Sequence, residues 1–167
     1  MENDLIITTR RLQLRLLQPS DIDNLLALNS DPEVRRFFPD GVQDRTQTEA
    51  RIKDFLAFYQ YHGLPCFVMF ELASGEFVGR GGFGPIAGEI EVGYLLHKKY
   101  WGQGYATEAL AALLHWAHHN IQAEHIIAIT PTEHLVSQRV VQKCAMIKYK
   151  TDTAYGVRCD FYRIKNR

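Results

Sequence analysis

The first chemistry legible in this sequence is anion binding at Gly102 and Gly104. Both stand in the run Tyr100-Trp-Gly-Gln-Gly-Tyr-Ala-Thr107, just ahead of an Ala- and Leu-rich stretch that reads as a helix over 106–117. The first four N–H groups of a helix have no partner within it, and the helix dipole places partial positive charge there. A phosphate is the natural occupant of such a place. Glycine admits a ligand close to the backbone and takes positive φ at little cost. Two phosphate motifs are disfavoured by the spacing. A P-loop needs a lysine after its last glycine, and Tyr105 follows Gly104. The dinucleotide fingerprint needs a glycine where Thr107 stands and begins directly after its strand, whereas His97 to Trp101 intervene. Glycines ahead of a helix also occur in ordinary loops, so on the residues alone both readings stand.

A second cluster is His115, His118 and His119 at i, i+3 and i+4, with His125 nearby. That spacing can hold a metal. It reads here as a set of incidental surface histidines, and no metal is expected. Cys66, Cys144 and Cys159 are an odd number without a C-x-x-C pair, which suits a reducing compartment and not a disulfide framework.

Several elements must position these groups. Residues 5–17 read as a first strand, with Leu12, Leu14 and Leu16 alternating with Arg11, Gln13 and Arg15. Ser20 with Asp23 suggests a capped helix carrying Leu25, Leu26 and Leu28. Ser30-Asp-Pro-Glu33 suggests a further short helix in which Val34, Phe37 and Phe38 pack. Thr46 or Thr48 opens a helix over 49–61, closed by Gly63. Strands are expected over 66–72 and 76–83, joined at Ala73-Ser-Gly75. Gly79, Gly81 and Gly82 signal a bulge or a close backbone neighbour. The stretch 89–96 alternates as a strand, and Leu110, Leu113, Leu114 and Ala117 form the buried stripe of the helix that follows. A strand over 125–130, a helix over 136–144 with Val140 and Val141 inward, and strands over 147–151 and 158–164 complete the chain. Antiparallel hairpins with one crossover make the class α+β.

The 167 residues suit one domain, 1–167, with 46% hydrophobic and 23% charged residues. Nineteen basic residues balance nineteen acidic ones, so no net field draws in nucleic acid or an anionic membrane. The longest apolar runs fall far short of the roughly 20 residues of a membrane span. The N-terminal Met1-Glu-Asn-Asp4 is acidic and lacks a signal-peptide pattern. A cytoplasmic protein is expected, either a monomer or a homodimer.

On Thr9-Arg-Arg-Leu-Gln-Leu-Arg15, Ser30-Asp-Pro-Glu-Val34, Val92-Gly-Tyr94 and Tyr100-Trp-Gly-Gln-Gly-Tyr-Ala-Thr-Glu-Ala109, the chain resembles the GNAT acetyltransferase superfamily. It most resembles the branch holding the ribosomal-protein N-terminal acetyltransferases of the RimJ/RimL type. The likeness covers nearly the whole length. It implies a mostly antiparallel sheet splayed between its fourth and fifth strands, acetyl-CoA in the splay, and an amine as acceptor. It implies that Trp101, Gly102, Gln103, Gly104, Tyr105, Ala106 and Thr107 surround the pyrophosphate, with the amides of Gly102 to Thr107 binding it. The pantetheine arm is then expected along the strand, paired with backbone groups of Tyr94, Leu95 and Leu96.

Acyl transfer to an amine requires removal of the ammonium proton and a proton for the leaving thiolate. The resemblance points to Glu91 as base, directly or through a water, with Glu89 on the same face as understudy. The tyrosine that supplies the acid in other groups is absent, since Val141 stands at the matching position. In the RimL-like branch a serine takes that role, and Ser137 matches it. His134 replaces the branch's asparagine, a pantetheine contact, and Ala145 replaces a glycine. His134 retains a hydrogen-bonding ring and is a second candidate acid. The acceptor implied is a protein N-terminal amine or a small-molecule amine. Direct transfer in a ternary complex is expected, because no cysteine matches a catalytic position. A non-catalytic CoA-binding or sensing module and a nucleotide-binding domain are the rival readings.

Overall fold

The computed structural model describes residues 5–167; the acidic start, 1–4, lies outside the described residues. Eight strands form one mixed sheet in the order β1-β2-β3-β4-β5-β6-β8-β7. They are β1 (Ile6–Thr8), β2 (Leu12–Leu16), β3 (Cys66–Glu71), β4 (Phe77–Ile86), β5 (Glu89–Leu96), β6 (His125–Pro131), β7 (Ile147–Ala154) and β8 (Val157–Lys165). The helices are α1 (Ile22–Asn29), α2 (Arg45–His62), α3 (Tyr105–Asn120) and α4 (Leu135–Lys143).

The expected first strand is two strands. Thr9 breaks it: its N–H donates to Leu12 O at 2.8 Å, closing a turn that sets β1 antiparallel to β2. The expected Ser20 cap is replaced by Gln18, whose N–H donates to the Asp21 carboxylate at 2.8 Å ahead of a 3-10 turn, Pro19–Asp21. The short helix expected after Ser30 is a series of turns over 32–37, although Val34 is buried as anticipated. The helix α2 starts earlier than Thr46 or Thr48. Asp44 caps it reciprocally with Gln47, and Thr48 is buried inside, where Asn29 donates to it at 3.3 Å. Gly63 ends α2 at φ 67°, as read.

The sheet separates two layers. Leu14, Met69, Phe83 and Val92 pack with Leu110, Leu113 and Ala117 of α3 on one face. Cys66 and Val68 pack with Leu25 of α1 and Ile52 of α2 on the other. The glycines of β4 are there because backbone comes close. A Cβ on Gly79 would lie 2.2 Å from Leu95 O, and one on Gly82 2.3 Å from Pro65 O. A register shift also sits opposite Gly79, at Met69/Phe70.

The least regular part of the sheet is the seam between β5 and β6. They are parallel and are registered at one pair, Glu91 with Ile127. Every other neighbouring pair in the sheet is antiparallel with three or more registered positions. Beyond Glu91 the two strands part, which is the splay that the resemblance implied between the fourth and fifth strands. The splitting of the first strand makes these the fifth and sixth.

Candidate active site

A cavity of about 520 Å³ opens where β5 leaves β6. Val92 to Leu95 line one side of it and Ala128 to Pro131 the other. Because β5 alternates, its residues reach both layers. Val92 packs with α3, whereas Leu95 packs with Leu28 and Val34 on the α1 side. Glu91 and Gly93 share Leu95's face, and Tyr94 shares that of Val92. The cavity therefore joins the two layers through the gap in the sheet.

On the α2 side Glu91 is partly buried within the cavity wall. Burial pushes its carboxyl up to about 7, against the opposing pull of the Tyr155 hydroxyl and of the Arg51 and Arg80 cations. The Tyr155 hydroxyl donates to Glu91 Oε1 at 2.5 Å. Tyr155 lies in the β7–β8 turn at φ 52°, sixty-four residues from its partner, and no sequence pattern pointed to it. Glu89 is exposed, pairs with Ile86 at the strand's start and lies outside the cavity lining. The geometry thus separates the two carboxylates.

On the α3–α4 side Ser137 Oγ lies 3.2 Å from the Tyr94 hydroxyl. Burial pushes that phenol up to about 12, so it keeps its proton at neutral pH. Tyr94 was expected to contribute backbone; its side chain also lines the cavity, beside Ser137. His134 accepts a long hydrogen bond, 3.5 Å, from Ser137 N through Nδ1 and stacks on Phe37 at 4.1 Å. Burial, with help from Arg36, holds its pKa below the usual histidine value, so the ring is mostly neutral at pH 7 and is a poorer proton source than expected. Val141, where other groups carry the acid tyrosine, is a buried core residue that lines the cavity.

The α3 mouth is a separate structure at the other end of β5. Gly102 and Gly104 adopt φ 72° and 83°, and the N-cap Gly104 makes no side-chain cap bond to the first amides of α3. Residues 101–104 are exposed, with no heavy atom within 4 Å of a Cβ built on Gly102. An anion has room there, as the motif suggests. Arg11 braces the loop: it donates to Gln103 O at 2.9 Å and to Glu108 Oε2 at 2.7 Å. Burial alone would raise the Glu108 carboxyl, but the Thr9 hydroxyl and Arg11 outweigh it and hold it below the usual range. Tyr105 is buried, stacks edge-on with Tyr100, donates to Glu71 and carries Arg11 over its ring at 4.0 Å. It supports the loop from beneath.

The expected backbone pairing along β5 narrows. His97 N donates to Val78 O across β4, so by alternation Leu95 and Gly93 also turn their backbone groups to β4. Val92, Tyr94 and Leu96 turn theirs toward the open seam. Leu95 is thereby removed from the pairing set. The Leu96 carbonyl already accepts the Trp101 indole N–H at 3.0 Å, which fixes the start of the loop to the end of the strand.

Elsewhere, His118 Nδ1 bonds Asn166 O at 2.5 Å and His119 Nδ1 bonds His115 O at 2.9 Å. Among the described residues no group of three or more His, Cys, Asp or Glu side chains is placed to hold a metal. No helix among them is long and apolar enough to cross a membrane.

Comparison with known proteins bears on the family and the fold. The family model described as "Acetyltransferase (GNAT) domain" matches residues 11–147. A relative from Bacillus subtilis (strain 168), named "Uncharacterized N-acetyltransferase YnaD", is 29% identical over 142 residues, covering 84% of this chain and 81% of its own. The crystal structure of an acetyltransferase from Agrobacterium tumefaciens str. C58 superposes with TM-score 0.84 at 24% identity, over 98% of this chain and 96% of that one. RimL, a ribosomal L7/L12 alpha-N-protein acetyltransferase solved in complex with coenzyme A, superposes with TM-score 0.81 at 17% identity, over 96% and 98%.

Proposed function

The chain belongs to the GNAT acetyltransferase family, and from that premise we propose that it moves an acetyl group from acetyl-CoA directly to an amine held beside Glu91. The observation that carries this reading is the cavity that runs through the β5–β6 seam and holds Glu91 at one wall and Ser137 with Tyr94 at the other. The family uses acetyl-CoA, and the residues present suit it. Amides at the α3 mouth, with no side chain competing at Gly104, offer a pyrophosphate site. Backbone groups of Val92 and Tyr94 face the seam, where an extended arm would pair with them as an added strand does. Acetyl-CoA supplies the activated acyl group as a thioester.

The protein's own residues supply the proton steps. An acceptor amine arrives as an ammonium with a pKa near ~8 to ~10 and is unreactive until deprotonated. The Glu91 carboxylate takes that proton, directly or through a water. A base poised near 7 is half ionised at neutral pH and strong enough to act, which is the compromise general-base catalysis favours. As the nitrogen–carbon bond forms and the carbon–sulfur bond breaks, a proton is required at sulfur. Ser137, hydrogen-bonded to Tyr94, is placed to supply it. His134 orients Ser137 through its backbone N–H. The acceptor is a protein N-terminal amine, as in the RimL-like branch, or a small-molecule amine.

The test is a thiol-release assay with acetyl-CoA over a panel of peptides with free N-termini and small amines. Steady CoA release with matching N-acetylated product is expected for at least one class. Release without any acetylated amine, or tight CoA binding with no turnover across the panel, overturns the proposal.

A further inference from the structure

Arg80 lies on β4 in the face turned toward α2, four residues along the strand from Gly84, which pairs with Glu91. Between the two positions the strands carry no side chain on this face: Gly84 on β4 and Gly93 on β5 are the open floor, and Gly82 lies under the Pro65 carbonyl. A Cβ built on Gly93 meets nothing within 4 Å, and one on Gly84 meets only Phe58, at 3.6 Å. At ~3.3 Å per residue this trough is roughly 13 Å long between backbone positions. Its two ends differ in charge. Glu91 stands at one and a guanidinium at the other.

That guanidinium has no carboxylate in direct contact among the described residues; Glu91 acts on it only from a distance. Its carbon sits 5.0 Å from the centre of the Phe55 ring, and Arg51 lies over the same ring at 4.8 Å. Among the described residues no carboxylate or carbonyl accepts a hydrogen bond from Arg80. The other cavity cations are provided for: Arg35 pairs with Asp40 at 2.6 Å and Arg51 lies 3.5 Å from Asp54. Burial pulls Arg80 down to about 10; Arg51 and Arg35 act in the same direction and Cys66 and Glu91 oppose them without offsetting the burial, so its charged form is held at a cost. A buried cation is costly unless an anion meets it, and a planar guanidinium meets a carboxylate with two parallel bonds.

We propose that the acceptor is an amine that also carries a carboxylate: its amine lies at Glu91, its carboxylate is held by Arg80, and its apolar body lies over the glycine floor against Phe55 and Phe58. This rests on the acetyl-transfer reading given above and narrows its substrate class. Arg80 is then the specificity-determining residue, with Arg51 adding attraction. The charge-assisted pair is worth roughly 10- to 100-fold in favour of the acid over a neutral analogue.

The experiment uses two matched pairs of acceptors long enough to reach along the trough, an alanyl-phenylalanine dipeptide and an alanyl-alanyl-phenylalanine tripeptide, each with its C-terminal amide, at ~3.3 to ~3.6 Å per extended residue. The second pair places the carboxylate farther from the amine. In at least one pair the acid is expected to exceed the amide by 10-fold or more in kcat/KM. Arg80→Gln is expected to bring that ratio close to one, mainly through KM, and Arg80→Lys to restore part of it. Equal or better use of the amides in both pairs overturns the proposal, as does an Arg80→Gln variant that lowers acid and amide alike, the mark of a merely structural arginine. Calorimetry on CoA-saturated protein with the same four compounds reads the preference without turnover. If no amine is acetylated, the transfer reading falls, and calorimetry still decides whether Arg80 selects the carboxylate. If amines are acetylated without regard to the carboxylate, only the substrate class falls.

Discussion

The α3 mouth and the Glu91 cavity lie at opposite ends of β5 and are built in different ways. The mouth is nearly contiguous in sequence. Leu96 to Glu108 supply it, braced from outside by Thr9, Arg11 and Glu71. What it offers a ligand is backbone, so residue identity matters mainly where φ is positive. The cavity draws Arg51 and Phe55 from α2, Arg80 from β4, Glu91 from β5, Ser137 from α4 and Tyr155 from the last hairpin. What it offers is side chains, each in an environment set by the others. Damage to the mouth should therefore appear as weaker CoA binding. Damage to the cavity should appear as altered protonation, turnover and acceptor choice.

The sharpest way to break this contrast is Glu91→Gln. Turnover at pH 7 is expected to fall about 10²- to 10⁴-fold, the usual worth of a general base, while calorimetry gives an unchanged CoA dissociation constant. A parallel loss of CoA affinity would mean that the two regions are one. Next in size is Gly104→Val. Its φ of 83° disfavours a branched side chain, and the new Cβ would lie 3.3 Å from Arg11. A left-handed residue costs about 1–2 kcal/mol, so CoA affinity is expected to drop roughly 5- to 30-fold with the pH–rate profile unchanged.

Tyr155→Phe sharpens the comparison from the cavity side. The wild-type rate is expected to rise with pH through about 7 as Glu91 ionises. The Tyr155 hydroxyl pulls that pKa down, so its loss moves the acid limb to higher pH. Turnover at pH 7 then falls a few-fold and returns above pH ~8.5. An unshifted limb would remove Glu91 from the titration. The smallest effect is on stability. The folded protein keeps the Glu91 proton up to about 7, whereas the unfolded chain loses it near the ordinary carboxylate value. Between those two points unfolding releases a proton, so stability declines as pH rises and then levels off. Glu91→Gln should flatten that decline in thermal melts from pH 4.5 to 8, and at pH 8 it should melt slightly above the wild type.

Much of the fold was legible because its signals are local. The alternation of residues 89–96, the Ala and Leu run after Gly104 and the Gly63 stop each report a backbone preference over a few neighbours. The misreadings came where two local signals competed. Ser20 and Thr48 are good capping residues, yet a 3-10 turn capped at Gln18, with the Asp21 carboxylate reaching back to the Gln18 N–H, precedes α1, and the Asp44 carboxylate took the start of α2. Thr9 ended a run whose alternation looked continuous because β1 and β2 are both strands.

The sequence by itself determined the helix mouth and its glycines, the strand that leads into it, and which carboxylates share one face of that strand. Those follow from periodicity and from steric limits on single residues. Only the tertiary structure decided that Glu91 and not Glu89 enters the cavity, that Tyr155 reaches it from sixty-four residues away, that Tyr94 and Ser137 meet, and that Arg80 faces the trough without a carboxylate of its own. A pKa and a charge balance depend on everything packed around a group, and that neighbourhood is assembled across the sheet rather than along the chain.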